Sequence, residues 1–206
     1  MLSYHDKVVL LTARHVATLY GCSLDTMTLD YECRGGKIVQ GQIVDGAKRW
    51  LTTANPSVDL AWIVLNQSEM PPIEDCVFAS VESLTKDALQ NALGSCVMVA
   101  SYQDKSALFT NFVDVVDAKA EGNRNLKSIS QRVGCLQANI QPSESGSPVF
   151  AKAKDGKSFD LIGIVTVTDR KSEAGFVPVY DIAGKIHDNL EGCLLTELYR
   201  FEEELW

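Results

Sequence analysis

An all-β protein closed by a helical tail is the fold class that this sequence predicts, and three observations carry it. Apolar segments are short, rich in β-branched and aromatic residues, and punctuated by Gly, Asp and Asn. A polar, proline-bearing stretch from Glu69 through Pro71-Pro72 to about Gln90 separates them into two groups. Beyond Ile182 the apolar period changes from that of strands to that of a helix.

In the first group, Met1 to Tyr4 and Lys7 to Thr12 read as a hairpin. Strands follow over Met27 to Glu32, Lys37 to Val44, Arg49 to Thr53 and Leu60 to Leu65, as expected of a small barrel. The connection is partly helical in pattern. The second group opens near Ser95 to Ser101 and continues through Ala107 to Val116 and Val133 to Ala138. It closes with Phe150-Ala151, Leu161 to Thr168 and Phe176 to Tyr180. Gly122-Asn123-Arg124-Asn125 and Lys154-Asp155-Gly156-Lys157 are turn signals, the second suited to a hairpin. Ile182 to Leu190 and Leu194 to Leu205 carry apolar residues at helical spacing with Glu202-Glu203-Glu204 on the other face, so a helix packing on the second β unit is expected. These readings divide the chain into a β unit at 1–75, a connection at 76–94, a second β unit at 95–182 and a helical tail at 183–206. No internal repeat or low-complexity segment is seen.

With 206 residues and 46% hydrophobic content, the chain can bury one compact core or two small barrels. A net charge of -8, with Lys and Arg scattered, argues against nucleic acid or an anionic membrane as partner, because both require a basic face. The longest apolar runs, Val8 to Leu11 and Val97 to Ala100, are far below membrane-spanning length. Met1-Leu2-Ser3-Tyr4-His5-Asp6-Lys7 lacks the pattern of a secretory signal, so a cytoplasmic protein is expected. The six cysteines, at 22, 33, 76, 96, 135 and 193, form no C-x-x-C or Cys/His cluster, and Cys96 lies within Ser95-Cys96-Val97-Met98-Val99. They are read as reduced core residues, with no metal and no cofactor implied.

Three short motifs carry chemistry. Leu11-Thr12-Ala13-Arg14-His15-Val16 offers a histidine, and Val58-Asp59-Leu60-Ala61-Trp62-Ile63-Val64-Leu65 offers a carboxylate at the head of an apolar run. Pro142-Ser143-Glu144-Ser145-Gly146-Ser147-Pro148-Val149-Phe150 offers a serine in a Gly/Pro-bearing turn. Singly, each has an ordinary structural reading: a turn serine, a capping histidine, an aspartate at a strand start. Their joint occurrence in the order His, Asp, Ser points to an activated nucleophile. A serine hydroxyl is a poor nucleophile at neutral pH, so an imidazole must take its proton during attack and return it to the leaving amine. His15 is the candidate base, Ser145 the candidate nucleophile, and Asp59 the carboxylate that fixes the ring's tautomer. Cys135 lies near the serine motif without a Gly-rich turn and reads as a packing residue, while His5 and His187 read as surface residues.

These segments resemble the blocks T-A-x-H, D-[IL]-A and G-[DN]-S-G-[GS]-P of the trypsin-like, chymotrypsin-fold serine proteases. Leu161-Ile162-Gly163-Ile164-Val165-Thr166 is similar to the strand that follows the nucleophile there. Leu136-Gln137-Ala138-Asn139-Ile140-Gln141-Pro142 and Phe176-Val177-Pro178-Val179 look most like the disulfide-free bacterial and viral branches. The resemblance implies two antiparallel β-barrels of the six-stranded type with a C-terminal helix. It also implies cleavage of polypeptides through an acyl-enzyme and an oxyanion hole formed by the backbone N–H groups of Ser143 and Ser145. Asn139, Thr166, Val167, Thr168 and Gly175 would line the first specificity pocket. With neither an acidic residue at its base nor a histidine on its wall, a small or medium, uncharged side chain is the expected preference.

Two departures bear on activity. Ser143 stands where the family has glycine, a residue free to adopt backbone angles that cost others energy, and Glu144 replaces the usual Asp or Asn. Only fourteen residues precede His15, so the first barrel is expected to be incomplete, with an edge open to a second copy of the chain or to further sequence. Three readings therefore stay open: an active endopeptidase, an impaired pseudo-protease that binds proteins or peptides, and an unrelated β-rich scaffold.

Overall fold

The structure, a computed structural model, describes residues 2–4, 7–21, 26–32, 38–44, 49–52, 58–70, 79–101, 106–120, 129–138, 140–166, 174–180 and 182–191. Two pieces of β-structure come from the two halves of the sequence. The first contains β1 (Leu2–Tyr4), β2 (Lys7–Ala13), β5 (Leu51–Thr52), β6 (Leu60–Leu65) and β7 (Ala79–Ser80), arranged β5-β6-β2-β1-β7. A separate hairpin of β3 (Thr26–Glu32) and β4 (Ile38–Val44) pairs from Thr26↔Val44 to Glu32↔Ile38. Among the described residues this half is an open sheet beside a hairpin.

β2 and β6 are the centre of that sheet, and their sequences show why. Successive side chains of a strand point to opposite faces. Val9, Leu11 and Ala13 with Leu60 and Trp62 line one apolar cluster, while Val8 with Ile63 and Leu65 lines another against Ile43 of β4. A strand covered on both faces reads as a continuous apolar run, as Leu60–Leu65 does. The antiparallel register Ala13↔Leu60 to Val8↔Leu65 brings the end of β2 beside the start of β6.

The second half is a closed barrel in the order β10-β13-β12-β11-β8-β9. Its strands are β8 (Cys96–Ser101), β9 (Ser106–Ala120), β10 (Ile129–Leu136), β11 (Pro148–Lys152), β12 (Phe159–Thr166) and β13 (Ala174–Pro178). Inward residues Val97, Val99, Phe112, Leu136, Val149, Ile162, Val165 and Phe176 fill it. Phe176 needs two glycines. A Cβ on Gly134 or Gly163 would lie inside its ring's contact distance, so Phe176 occupies the space that side chains on both flanking strands would take. Its ring meets Phe112 edge-on at 5.0 Å between centroids.

Helices close the packing. α1 (Arg14–Gly21) begins where β2 ends. α2 (Lys86–Ala92), capped by Thr85 accepting from Ala88 N, seals the barrel with Ala88, Leu89 and Ala92. α3, residues 182–191, places Ile182, Ile186 and Leu190 at four-residue spacing into a cluster shared by the first sheet and by Leu161, Ile164, Val177 and Val179 of the second half. The tail therefore packs where the two halves meet.

Most expected strands form, with local differences. Arg49 lies outside any strand, and β5 keeps only Leu51–Thr52, because the Arg49 guanidinium turns inward to the buried carboxylate of Glu69. β7 arises within the connection by pairing parallel with β1, and β9 runs four residues past the expected end at Val116. Lys154-Asp155-Gly156-Lys157 turns between β11 and β12 as expected: Asp155 accepts from Lys157 N, Ser158 N and the Ser158 hydroxyl, and Gly156 adopts φ 66. Cys96 is a free thiol but an exposed one, so its expected core position is corrected: it points out of the barrel between inward Val97 and solvent. His187 is exposed as expected. Cys22, Cys33, Cys76, Cys193, His5, the Gly122–Asn125 turn, Pro71-Pro72 and the second tail segment lie outside the described residues. No described helix is long and apolar enough to cross a membrane.

Candidate active site

His15 and Asp59 are brought together by strand pairing. Ala13 ends β2 opposite Leu60, the first residue of β6, so the residues just past β2 lie against the one just before β6. The backbone N–H of Arg14 donates to the Asp59 carbonyl at 3.2 Å, and that of His15 donates to Asp59 Oδ1 at 2.9 Å. The second carboxylate oxygen, Oδ2, lies 2.7 Å from His15 Nδ1. Asp59 thus holds His15 by main chain and ring together.

An ionised carboxylate only accepts hydrogen bonds, so this contact places the ring proton on Nδ1 and makes Nε2 the proton acceptor of the neutral ring. The hydrogen bond that the His15 ring donates to Asp59 raises the His15 pKa above its ordinary 6.5, opposed by partial burial and aided by the attraction of the carboxylate charge. His15 remains accessible, with 43% of its side chain exposed against 24% for Asp59.

Ser145 lies on the loop between a 3₁₀ turn at Pro142–Glu144 and β11. Glu144 N donates to the Gln141 carbonyl at 2.9 Å, and the Glu144 carboxylate reaches back to accept from Gln141 N at 2.7 Å. This reciprocal pair closes the turn as a capping box does. After it, Gly146 N donates to the Val165 carbonyl and Val165 N to the Ser147 carbonyl, both at 2.8 Å, docking the loop on β12. Gly146 adopts φ 94, and a Cβ there would sit 2.6 Å from Thr12 Oγ1. The serine loop therefore presses against the end of the strand that leads to His15.

The turn before Ser145 bears on the expected oxyanion donors. In a four-residue turn from Gln141 to Glu144, the peptide joining Pro142 to Ser143 has two orientations related by a flip. The flipped form requires positive φ at Ser143, which suits glycine and is costly for serine. The 3₁₀ turn takes the other form, with helical angles.

Of the expected pocket residues, Thr166 ends β12 paired with Gly175 of β13, and both are buried. The Thr166 hydroxyl is enclosed without a hydrogen-bond partner. Asn139, Val167 and Thr168 lie outside the described residues. Among the described residues, no group of three or more His, Cys, Asp or Glu side chains is placed to hold a metal ion.

No protein-family model and no curated protein matches the chain. Solved structures do. A scabies mite inactivated protease paralogue, S-I1, matches with a TM-score of 0.63 at 16% identity, over 89% of this chain and 84% of its own. The Rv3671c protease of M. tuberculosis H37Rv, in an inactive mutant form, matches with a TM-score of 0.51 at 16% identity, over 89% of this chain and 76% of its own. The chain has the chymotrypsin-like fold.

Two features of this site were not singled out from the sequence. Thr12 belongs to the quoted T-A-x-H block, but nothing in the sequence shows that it touches the serine loop. The Gln141–Glu144 closure could have been sought, since a carboxylate three residues after a turn start is a capping-box signal.

Proposed function

We propose that the chain is a serine endopeptidase in which Ser145, His15 and Asp59 form the catalytic triad. The observation that carries the reading is the double hydrogen bond of Asp59 to the main chain and ring of His15, which prepares Nε2 as a base. His15 Nε2 takes the proton of Ser145 as its oxygen attacks the peptide carbonyl, and the tetrahedral oxyanion is received by the N–H groups of Ser143 and Ser145. Collapse breaks the C–N bond as His15 protonates the leaving amine, giving an acyl-enzyme. Water, deprotonated by His15, attacks that ester, and as the C–O bond to Ser145 breaks His15 passes the same proton to the serine oxygen, releasing the carboxylic acid. The substrate is a polypeptide with a small or medium, uncharged side chain before the cut, its pocket lined by Asn139, Thr166, Val167, Thr168 and Gly175. The setting is a viral or bacterial processing reaction in the cytoplasm.

A second reading, a catalytically impaired pseudo-protease that binds proteins or peptides, is favoured by one observation: the 3₁₀ turn through Ser143. In that turn the Ser143 N–H does not take the orientation that positive φ would give it, and losing one oxyanion donor costs about 3 kcal/mol in the barrier. Labelling with a fluorophosphonate probe tests the first reading without knowledge of the substrate. Labelling of the wild type that disappears in Ser145→Ala and His15→Ala supports the triad. A folded wild type that stays unlabelled favours the binding module.

A further inference from the structure

The candidate catalytic groups come from opposite halves of the chain, and each is registered within its own half. His15 is tied to Asp59 through the β2–β6 pairing, and Ser145 is tied to β12 by the two bonds between Gly146, Ser147 and Val165. Neither set of bonds fixes the serine loop relative to the histidine strand. A contact at Thr12 spans them: its Oγ1 lies 2.6 Å from where a Cβ on Gly146 would sit, with Ala13 N next nearest at 3.8 Å.

Its place in the sequence gives this contact leverage. Thr12 is three residues before His15, and Gly146 directly follows Ser145. Thr12 is also held firmly, because it lies within β2 opposite Ala61 and a β-branched side chain is stiff about χ1. Gly146 has no side chain to yield, and its backbone is pinned to β12 by the bonds that Gly146 N and the Ser147 carbonyl make with Val165. Two rigid surfaces in contact set a distance.

We infer that Thr12 is a positioning residue: its hydroxyl is the stop against which the Gly146 backbone rests, and it thereby sets the approach of Ser145 to His15. The inference deepens the proposed serine-hydrolase activity and rests on it. Thr12 acts through the residue that follows Ser145, so its effect belongs to the covalent step and not to binding. A misplacement of about 1 Å between reacting groups costs on the order of 100-fold in rate.

The experiment measures fluorophosphonate labelling well below each variant's melting temperature, separating the saturating rate of covalent reaction from the probe's apparent affinity. Thr12→Ala is expected to lower the saturating rate about 10- to 100-fold with affinity unchanged, while Thr12→Ser, which keeps the hydroxyl, stays within a few-fold of wild type. Gly146→Ala is expected to be slower still, because a Cβ there meets Thr12 Oγ1 and φ 94 is costly for alanine. Thr12→Ala reacting like wild type overturns the positioning role while the hydrolase reading stands. A protein that is unlabelled both as wild type and with Ser143→Gly overturns the hydrolase reading and the positioning role with it.

Discussion

The two sides of the candidate site are built by different means. On the histidine side, three hydrogen bonds converge on one aspartate: the His15 main-chain N–H to Oδ1, the His15 ring to Oδ2, and the Arg14 N–H to the Asp59 carbonyl. On the serine side, the order is in the main chain: a closed 3₁₀ turn, a glycine at positive φ and a pair of bonds to β12. Side-chain hydrogen bonds can be weakened without moving the backbone. A backbone turn instead has discrete alternatives, so substitutions there should switch the site and not merely tune it.

The sharpest way to break the comparison is on the histidine side. Asp59→Asn keeps the shape of the pair but offers an N–H where the ring needs an acceptor, favouring the wrong tautomer of His15. By the magnitude of this effect in established triads, labelling should fall about 10⁴-fold, measured as the saturating rate in a protein whose melting temperature is little changed. A loss of less than tenfold would mean that Asp59 serves only the fold.

Ser143→Gly tests the other side, in the opposite direction. Glycine lifts the penalty on positive φ at the third turn position, so the Pro142–Ser143 peptide can flip and offer its N–H to an oxyanion. If the turn restrains catalysis, labelling should rise by about 10²- to 10³-fold, the value of one oxyanion donor. An unchanged rate would mean that the turn already opens on binding, or that another group serves the oxyanion.

How much of this was legible in the sequence follows the same division. Leu60–Leu65 and Lys7 to Thr12 show their strands through β-rich apolar runs, and the order His15, Asp59, Ser145 shows the chemistry, because residue type alone restricts those roles. What pairs in space without a local pattern was not visible. β7 forms only because β1 lies beside it, and Phe176 is accommodated only because two glycines on different strands face it. α1 was missed as well: it starts directly at the end of a strand, with no Ser, Thr, Asp or Asn immediately ahead of Arg14 to signal a cap.

Glu69 belongs with those long-range features, and it separates stability from reactivity on the histidine side. Its side chain is 3% exposed and accepts from both Arg49 terminal nitrogens, while Arg49 also donates to the Val64 carbonyl of β6 at 2.7 Å and Glu69 accepts from Asn66 N at 2.7 Å. Removing Arg49 strands the buried Glu69 carboxylate away from water. Arg49→Ala should cost about 3 kcal/mol of unfolding free energy, read by denaturant titration, with the labelling rate per folded molecule unchanged. A large fall in that rate at full folding would show that the pair also holds β6, and with it Asp59, in register.

The smallest expected effect, a pH dependence, sharpens the comparison most finely, because stability and reactivity should respond to His15 with opposite signs. Its pKa is raised in the folded protein above 6.5, so the protonated ring is favoured by folding. The stabilisation is therefore fully present below pH 6.5 and is lost as pH rises through the folded value. A base must be neutral to accept a proton, so labelling should climb over that same interval, with a midpoint above 6.5. In Asp59→Asn the main cause of the shift, the hydrogen bond to the carboxylate, is gone, and the midpoint of the residual labelling should move down. A wild-type midpoint at or below 6.5 would mean that Asp59 does not hold the imidazolium in solution, and that the histidine side is no better organised for chemistry than the serine turn.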